Sequence, residues 1–539
     1  MPDQEDFVDL HFPKAGVDLS AGFGKQPNRP AAEGVWSRTT PVGVNVRSYD
    51  PTLNRSRGGS RPGLARYINA QVAGRYFVVQ RLAILSGSDL PGPGGSVVVQ
   101  SSQSGRVVTI VAVSRGRVFT AVPGGTTWTE ATNATPEVPP LNFTGVLFSA
   151  VNVQKLWFAD GINYVYFDPL TNTVKDWVAT AGELPRDAAN NFPRLICTWR
   201  GRTVLSGLLD DPTGWFMSRI SVPTDFDYSP NEVSPDQAVA GSNAPQGLLG
   251  DPITSLVPYS DDVLIFGGDH TIHLMRGDPM AGGQIDLVTD QIGFAFGEPW
   301  CRDPEGVIYF FSNRGSVFAM TPGSQPVRIG QPIEQLSQAV NTGDYTVRMA
   351  WDDRFQGFHT FVTPTADNTG ATHFFYEKRS GAWWTDTFRN PDHDPLTVCV
   401  LDGNRPEDRV PLLGSWDGYV RAVDRDAVKD DGFYIDSEVW IGPLLTKDMD
   451  DVLMKDVQAL LGAASGDVTY AIHVGRTAEE ALESTAVSTG TFAAGRNNVS
   501  FVRRSGHALY VKLTSTNRWA MEQIRVRLAT TGKVRRRGR

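Results

Sequence analysis

His270 and His273 stand three residues apart in "VLIFGGDHTIHLM". On a helix that spacing would set two imidazoles on one face, as metal ligation needs. The segment reads as strand, turn and strand, where the two rings point to opposite faces, so the pair is expected to be structural. Adjacent carboxylates occur at Asp261–Asp262, Asp352–Asp353 and Asp430–Asp431. A glycosidase needs two carboxyl groups a few ångströms apart, but neighbours of this kind in turns are expected to be solvated loop residues. The glycine-rich "GSDLPGPGGS" (87–96) lacks the lysine and following helix of a phosphate loop, and its prolines remove backbone donors. The sequence has no Gly-x-Ser-x-Gly elbow, and it places no histidine beside Cys197, Cys301 or Cys399. The expectation is a chain that is not an enzyme, with no catalytic residue, no metal ligand and no cofactor.

Positive charge gathers in two places. "PVGVNVRSYDPTLNRSRGGSRPGLARY" carries Arg47, Arg55, Arg57, Arg61 and Arg66 among turn formers, and "KVRRRGR" lies at positions 533–539. The first reads as an extended arm. The second reads either as a solvated tail or as a contact to phosphates or an acidic neighbour. Arg55, Arg57, Arg61, Arg535, Arg536, Arg537 and Arg539 are the candidate partner or phosphate contacts.

The elements that must position these residues are strands. With 539 residues, 40% hydrophobic and 20% charged, the chain is globular and too long for one compact core. No apolar stretch approaches the roughly 20 residues of a spanning helix. The acidic, polar "MPDQEDFVDL" is unlike a secretory signal. Three widely spaced cysteines form neither a disulfide framework nor a zinc spacing, which fits folding in a reducing cytoplasm. A net charge of -9 argues against tight wrapping of nucleic acid.

Glycine (54) and proline (35) punctuate the whole chain, and only "PIEQLSQAV" and "TAEEALES" read as helices. "LWFADGINYVYFDPLTNTVKDW" shows the recurring unit: strand, glycine turn, strand, turn, tryptophan. Related stretches place turn glycines at 116, 161, 201, 268, 315, 357 and 418. Most gaps are near the roughly 40 to 50 residues of a four-stranded propeller blade. The longer gaps after Gly201 and Gly357 are expected to hold loop insertions. A hairpin with one apolar face cannot bury it alone, so neighbouring sheets must cover one another. The expected fold is all-β: an arm over 1–66, a β-propeller over 67–430 with about seven blades (six or eight as alternatives), a β-sandwich-like domain over 431–532 and a basic tail over 533–539.

Four stretches, "NRSRGGSRPGL", "VLIFGGDHTIHLMRGDP", "DQIGFAFGEPWCRDPEGVIYFFSNRGSVFAM" and the closing "MEQIRVRLATTGKVRRRGR", resemble the tail nozzle proteins of short-tailed bacteriophages, also called tail tubular protein B or phage stabilisation proteins. The resemblance implies a structural virion protein in the tail, assembled in the host cytoplasm as a ring, typically a hexamer. Such a ring lies below the portal and adaptor proteins, carries fibres or a needle-like plug, and continues the channel for genome DNA without gripping it. It implies no active site and no membrane insertion by this chain. The alternatives are a propeller that binds or degrades host surface polysaccharide, and a propeller scaffold unconnected with particles.

Overall fold

The computed structural model describes residues 6–31, 35–74, 76–87, 107–134, 139–142, 147–229, 234–402, 409–445 and 451–530. The "GSDLPGPGGS" loop beyond Gly87 and the 533–539 tail lie outside them.

The chain is all-β, built from many small antiparallel sheets. The first sheet comprises Val79–Gly87, Val107–Ser114, Arg117–Ala121 and Thr129–Glu130. The second comprises Phe148–Asn152, Lys155–Ala159, Val165–Asp168 and Thr173–Asp176, with Thr132–Asn133 added in parallel at its outer edge. The third holds Leu195–Trp199, Arg202–Ser206, Trp215–Met217 and Val239–Ala240; the fourth holds Ile253–Ser260, Val263–Gly268, Ile272–Arg276 and Gln284–Thr289. The fifth holds Trp300–Arg302, Ile308–Phe311, Val317–Met320 and Val327–Arg328. The sixth runs Tyr345–Asp352, Gly357–Pro364, Thr372–Glu377, Ala382–Asp386. The seventh runs Pro395–Leu401, Val410–Ser415, Val420–Asp424, and is completed by Gly63–Arg66 from near the N-terminus.

Opening strands of consecutive sheets pack side by side, and that of the seventh packs on that of the first. Between fourth and fifth sheets the link is Ser255, whose hydroxyl donates to Gly297 O at 2.8 Å. The circuit closes. Buried aromatics fill the space between sheets: Trp157 and Trp177 meet edge to face at 4.7 Å, and Phe294 stacks on Phe310 at 4.0 Å.

The turn glycines occupy two different positions in the unit. Gly116, Gly161, Gly268, Gly315 and Gly418 stand at turns between second and third strands, whereas Gly201 and Gly357 stand between first and second. Among the described residues the long gap after Gly357 holds no inserted loop; it reflects a change of turn. The gap after Gly201 does contain an excursion between Met217 and Val239, and its described residues are tied down by the buried Arg202, which donates to the carbonyls of Ser218 at 2.9 Å, Pro235 at 3.0 Å and Gln237 at 2.6 Å. Arg115–Gly116 and Arg200–Gly201 have positive φ at both residues, as a two-residue hairpin turn requires. The second sheet uses Val153–Gln154 at φ 50° and 56° for the same turn. Left-handed backbone costs a side-chain-bearing residue roughly 1–2 kcal/mol. Val153→Asn with Gln154→Gly is expected to raise stability by about 1 kcal/mol; an unchanged denaturation midpoint would show that the turn carries no such strain.

Two further sheets close the C-terminal part. One orders Asp6–Leu10, Met521–Thr530 and Val452–Leu461, with Gly495–Arg496 and Ser500–Gly506 both on Val452–Leu461. The other orders Ser437–Leu444, Ala508–Ser515, Val468–Gly475 and Ser488–Phe492. Val457, Val526, Ile472, Val511 and Leu513 share one buried cluster with Phe12 and Trp384. The helix in "TAEEALES" spans Ala478–Glu483 and is capped by Thr477, whose hydroxyl accepts from Glu480 N at 3.1 Å.

The segment 1–66, expected as an extended arm, contributes from its described residues seven short strands, several of them to sheets of the rest of the chain. Asp6–Leu10 edges the C-terminal sheet, and Gly63–Arg66 completes the seventh. Gly43–Val44 lies between Ala382–Asp386 and Ser437–Leu444, making the sixth sheet and a C-terminal sheet continuous. Gly58, at φ 79°, lets the backbone pass Phe12: a Cβ there would sit 2.1 Å from the ring.

Candidate functional site

The arginines of residues 47–66 divide by what they face. Arg47 makes a two-pronged pair with Asp386 at 2.5 and 2.8 Å, its guanidinium 4.1 Å from the centre of the Phe375 ring. Arg61 grips Asp430 at 2.5 and 2.9 Å and donates to Asn45 Oδ1 at 2.8 Å. The side chains of Arg61 and Asp430 are only 3% and 1% exposed. Arg61 is thus an internal fastener between the N-terminal segment and the stretch that follows the seventh sheet, and its charge does not reach a partner. Arg57 pairs with Asp50 at 3.0 Å and with Glu522. Arg66 and Arg421 share Asp431 at 2.7 Å each. Arg55 projects into solvent. Arg535, Arg536, Arg537 and Arg539 lie outside the described residues.

The carboxylate pairs divide likewise. Asp261 and Asp262 are exposed. Asp352 and Asp430, expected to be solvated turn residues, are fully buried. Asp352 receives Arg354 at 2.8 Å. Burial opposes its charge, but the nearby His359, 3.9 Å away, and the hydrogen bonds from Arg354 outweigh that and hold it below the usual carboxylate range. Asp386 is held low too, because Arg47 and then Arg61 overcome the effect of burial. His270 sits in an exposed turn with Nδ1 3.2 Å from Asp269, and His273 Nδ1 lies 3.2 Å from Thr271 Oγ1. No group of His, Cys, Asp and Glu among the described residues is arranged to hold a metal ion.

These charges predict the acid response. A carboxyl group with a depressed folded pKa contributes stability above its unfolded value, near 4, and loses it as pH falls through the folded value. Burial also lowers His359 and His393, so the folded form holds them neutral and protonation below about 6.5 favours unfolding. Glu377, raised by burial, acts in the opposite sense. Melting temperature is expected to fall from about pH 6.5 downward and steepen below about 4. A flat profile between pH 7 and 4 would contradict this account.

The middle of the circuit holds a cluster that sequence reasoning missed. Arg81, in the opening strand of the first sheet, donates from Nε to Ser149 Oγ at 2.9 Å and from Nη2 to Glu298 Oε1 at 2.8 Å, with Nη1 also on Glu298. Arg348 of the sixth sheet reaches Glu298 at 3.3 Å and the Leu396 carbonyl at 3.3 Å. Phe148 lies under both guanidinium groups, 5.8 Å from Arg81 and 4.7 Å from Arg348, and packs on Phe296 at 6.0 Å. The first sheet and the segment before the fifth are not neighbours along the circuit, so the Arg81–Glu298 pair crosses its centre. Burial lowers Glu298's tendency to ionise, but Arg81 and then Arg348 reverse that and hold it low. Arg348 is brought down to about 10 by burial, with Glu298 opposing and Arg81 adding repulsion. The signal was a lone charge near the head of an apolar strand, in "QRLAIL" and "VRMAW".

Toward the far ends of the sixth and seventh opening strands lies a cavity of about 350 Å³, lined by Trp300, Met349, Trp351, Cys399, Asp353 and Arg409 among others. Two of its polar groups meet at Asp353, which accepts from Trp351 Nε1 at 2.7 Å and pairs with Arg409 at 2.6 Å, whereas the buried Trp300 Nε1 has no hydrogen-bond partner among the described residues. Burial pushes all three thiols up, Cys399 to about 12. Ellman's reagent at pH 8 is expected to find no fast thiol before denaturation; rapid stoichiometric reaction of the native chain would refute this.

No protein-family model and no curated protein sequence matches the chain. Solved structures similar to it include YCF48 bound to D1 peptide, at 11% identity over 68% of this chain and 99% of that one, with a TM-score of 0.38. Others are an extracellular domain of a two-component system from B. thetaiotaomicron (11% identity, 83% and 56% covered, TM-score 0.42) and BamB from Moraxella catarrhalis (10%, 58% and 90%, TM-score 0.32). YCF48 and BamB are β-propeller proteins.

Proposed function

We propose that the chain is a seven-bladed β-propeller fused to a C-terminal β-sandwich-like domain, and that it serves as a structural subunit of a bacteriophage tail nozzle. In this reading copies form a ring, typically of six, below the portal and adaptor, hold fibre or needle proteins at the tip, and bound the channel through which DNA leaves. The observation that carries it concerns "NRSRGGSRPGL", on which the resemblance begins: here it is the clasp that joins the two parts, through Arg57 to Glu522 and Arg61 to Asp430. A ring wall under the pressure of a passing genome needs that rigidity.

Two further observations support the reading. Arg81, Glu298, Arg348, Phe148 and Phe296 link non-adjacent sheets across the circuit, and in this reading the DNA passage lies between copies of the chain. The net charge of -9 suits a wall that repels phosphates, since each phosphate contact would slow ejection. Polysaccharide hydrolysis is the weaker reading. A general acid needs a raised pKa and access to substrate, whereas Asp352 is held low, Asp430 is locked to Arg61, and Glu377, raised by burial, is only 1% exposed and bonded to Arg379 and Ser380.

The test is immunogold labelling of density-purified, DNA-filled particles from the native source. Label at the tail is the expected result. Protein confined to the soluble fraction would overturn the proposal.

A further inference from the structure

The turn between the second and third strands of the sixth sheet, "TADNTGA", and the connection from the sixth sheet to the seventh, "TFRNPDHD", enclose a cavity of about 350 Å³. Both stretches are rich in Asn, Asp, Gly and Pro, which keep the chain in turns beyond the strand ends. In the cavity wall stands His373, the second residue of Thr372–Glu377 and only 1% exposed. Phe361 meets its ring at 5.3 Å and Phe388 at 5.1 Å, so packing fixes the direction of the ring. Nε2 lies 2.8 Å from Asp394 Oδ1. A carboxylate only accepts, so Nε2 carries the hydrogen, and Nδ1 of the neutral ring is an acceptor. That Nδ1 is buried and has no partner among the described residues. A buried polar atom left in this condition is costly and calls for a partner from outside the chain.

Two more acceptors line the same cavity. Asn368 gives its Nδ2 to Asp392 at 2.5 Å, which turns Oδ1 away from that carboxylate. Asp394 spends Oδ1 on His373, and among the described residues no donor reaches its Oδ2. Phe388 and Pro391 supply apolar wall. Charge around the cavity is one-sided. Among the described residues no lysine or arginine lines it, while Asp367 and Asp392 stand beside it, accepting from Thr369 and Asn368. Arg61, 5.1 Å from the centre of the Phe388 ring, is committed to Asp430, and Arg389 leans toward Asp436 at 4.0 Å.

We infer that this cavity binds a primary ammonium group carried on an apolar stem, with the ammonium on His373 Nδ1, Asp394 and Asn368 and the stem against Phe388 and Pro391. An ammonium offers three hydrogens, as many as the acceptors left open. An anion would meet acceptors and carboxylates alone, which repel it, whereas a carboxylate partly withdrawn from water attracts a cation more strongly than an exposed one does. The same tip is carried by a free alkyl diamine and by a lysine side chain. The inference stands apart from the nozzle reading and needs no ring.

The experiment is isothermal titration calorimetry of the full chain in about 0.15 M salt, which screens its net charge of -9. Cadaverine, a free diamine, and Nα-acetyl-lysine amide, a lysine side chain without charged termini, are expected to bind one per chain. Each is expected to bind at least about tenfold more tightly than butanol or butyrate. Tighter binding of cadaverine names a free amine as the source, and tighter binding of the lysine derivative names a protein side chain. His373→Phe keeps a ring between Phe361 and Phe388 but removes the acceptor, and Thr369→Lys sets a competing ammonium at the exposed lip; each is expected to weaken binding at least about tenfold. Thr369→Lys keeps the test open if His373→Phe does not fold. Asp261→Asn with Asp262→Asn, in the fourth sheet, removes two charges and is expected to leave affinity unchanged. Amines that bind no better than butanol leave only water for Nδ1 and overturn the inference. Tighter binding of butyrate, wild-type affinity in either folded site variant, or an equal loss in the Asp261–Asp262 variant would overturn it too.

Discussion

Replacing Arg61 by methionine is expected to lower the unfolding free energy by about 3–5 kcal/mol, because it leaves Asp430 buried without its counter-charge. The side chain of Asp430 is 1% exposed, and of its two oxygens only Oδ1 keeps a donor once the guanidinium is gone, Leu64 N at 3.2 Å. Methionine keeps the aliphatic length, so the loss reports the missing charge more than a cavity. Asp430→Asn in the same background should recover part of it, since a neutral amide is far cheaper to bury than a carboxylate. The damage should be local as well as global. Gly63–Arg66 completes the seventh sheet, and its backbone hydrogen exchange should rise more than that of the fourth sheet. Arg55→Ala, on the same segment but in solvent, is expected to stay within about 0.5 kcal/mol. Denaturant titration of the three variants checks the whole set; equal midpoints for the Arg61 and Arg55 variants would remove the distinction between fastener and surface charge.

That distinction also marks the limit of what could be read from the residues. Strand and turn were legible because they are local: "SRGRVF" and "TWRGRTV" place Arg–Gly where both φ angles must be positive, and alternation around them gives the strands. The repeat was legible only approximately, because a glycine turn can occupy either the first or the second hairpin of a sheet; Gly357 does the former and Gly315 the latter. The N-terminal segment was read only as extended. Its strands are two to five residues long, and the partners that fix its place, such as Val420–Asp424 for Gly63–Arg66 and Met521–Thr530 for Asp6–Leu10, lie hundreds of residues away, which no local pattern encodes. For the same reason a buried Arg61 and a solvated Arg55 look alike in sequence, as do a buried Asp352 and an exposed Asp261. The candidate contacts were chosen by charge alone, whereas the fold sorts them by the presence of a distant carboxylate.

The axial cluster poses the sharpest case of that sorting. Glu298 is one carboxylate serving two guanidinium groups, and its side chain is 30% exposed while those of Arg81 and Arg348 are 8% and 4% exposed. Glu298→Ala would leave two like charges facing each other over Phe148 with no counter-ion. The expected loss is again about 3–5 kcal/mol, the range for an uncompensated buried charge. Direction can be checked independently of size. Arg348→Met in the Glu298→Ala background removes one of the stranded charges, so the double variant should be more stable than Glu298→Ala alone, a coupling of the sign opposite to additive damage. Arg81→Met should do less good there, because Arg81 also holds Ser149 through its side-chain and backbone oxygens and so joins the first sheet to the second. If instead Glu298→Ala melts with the wild type, Arg81 and Arg348 are solvated well enough at the axis to stand alone. The centre of the propeller would then be open to water and ions, and the reading that places the DNA passage between copies would lose its support.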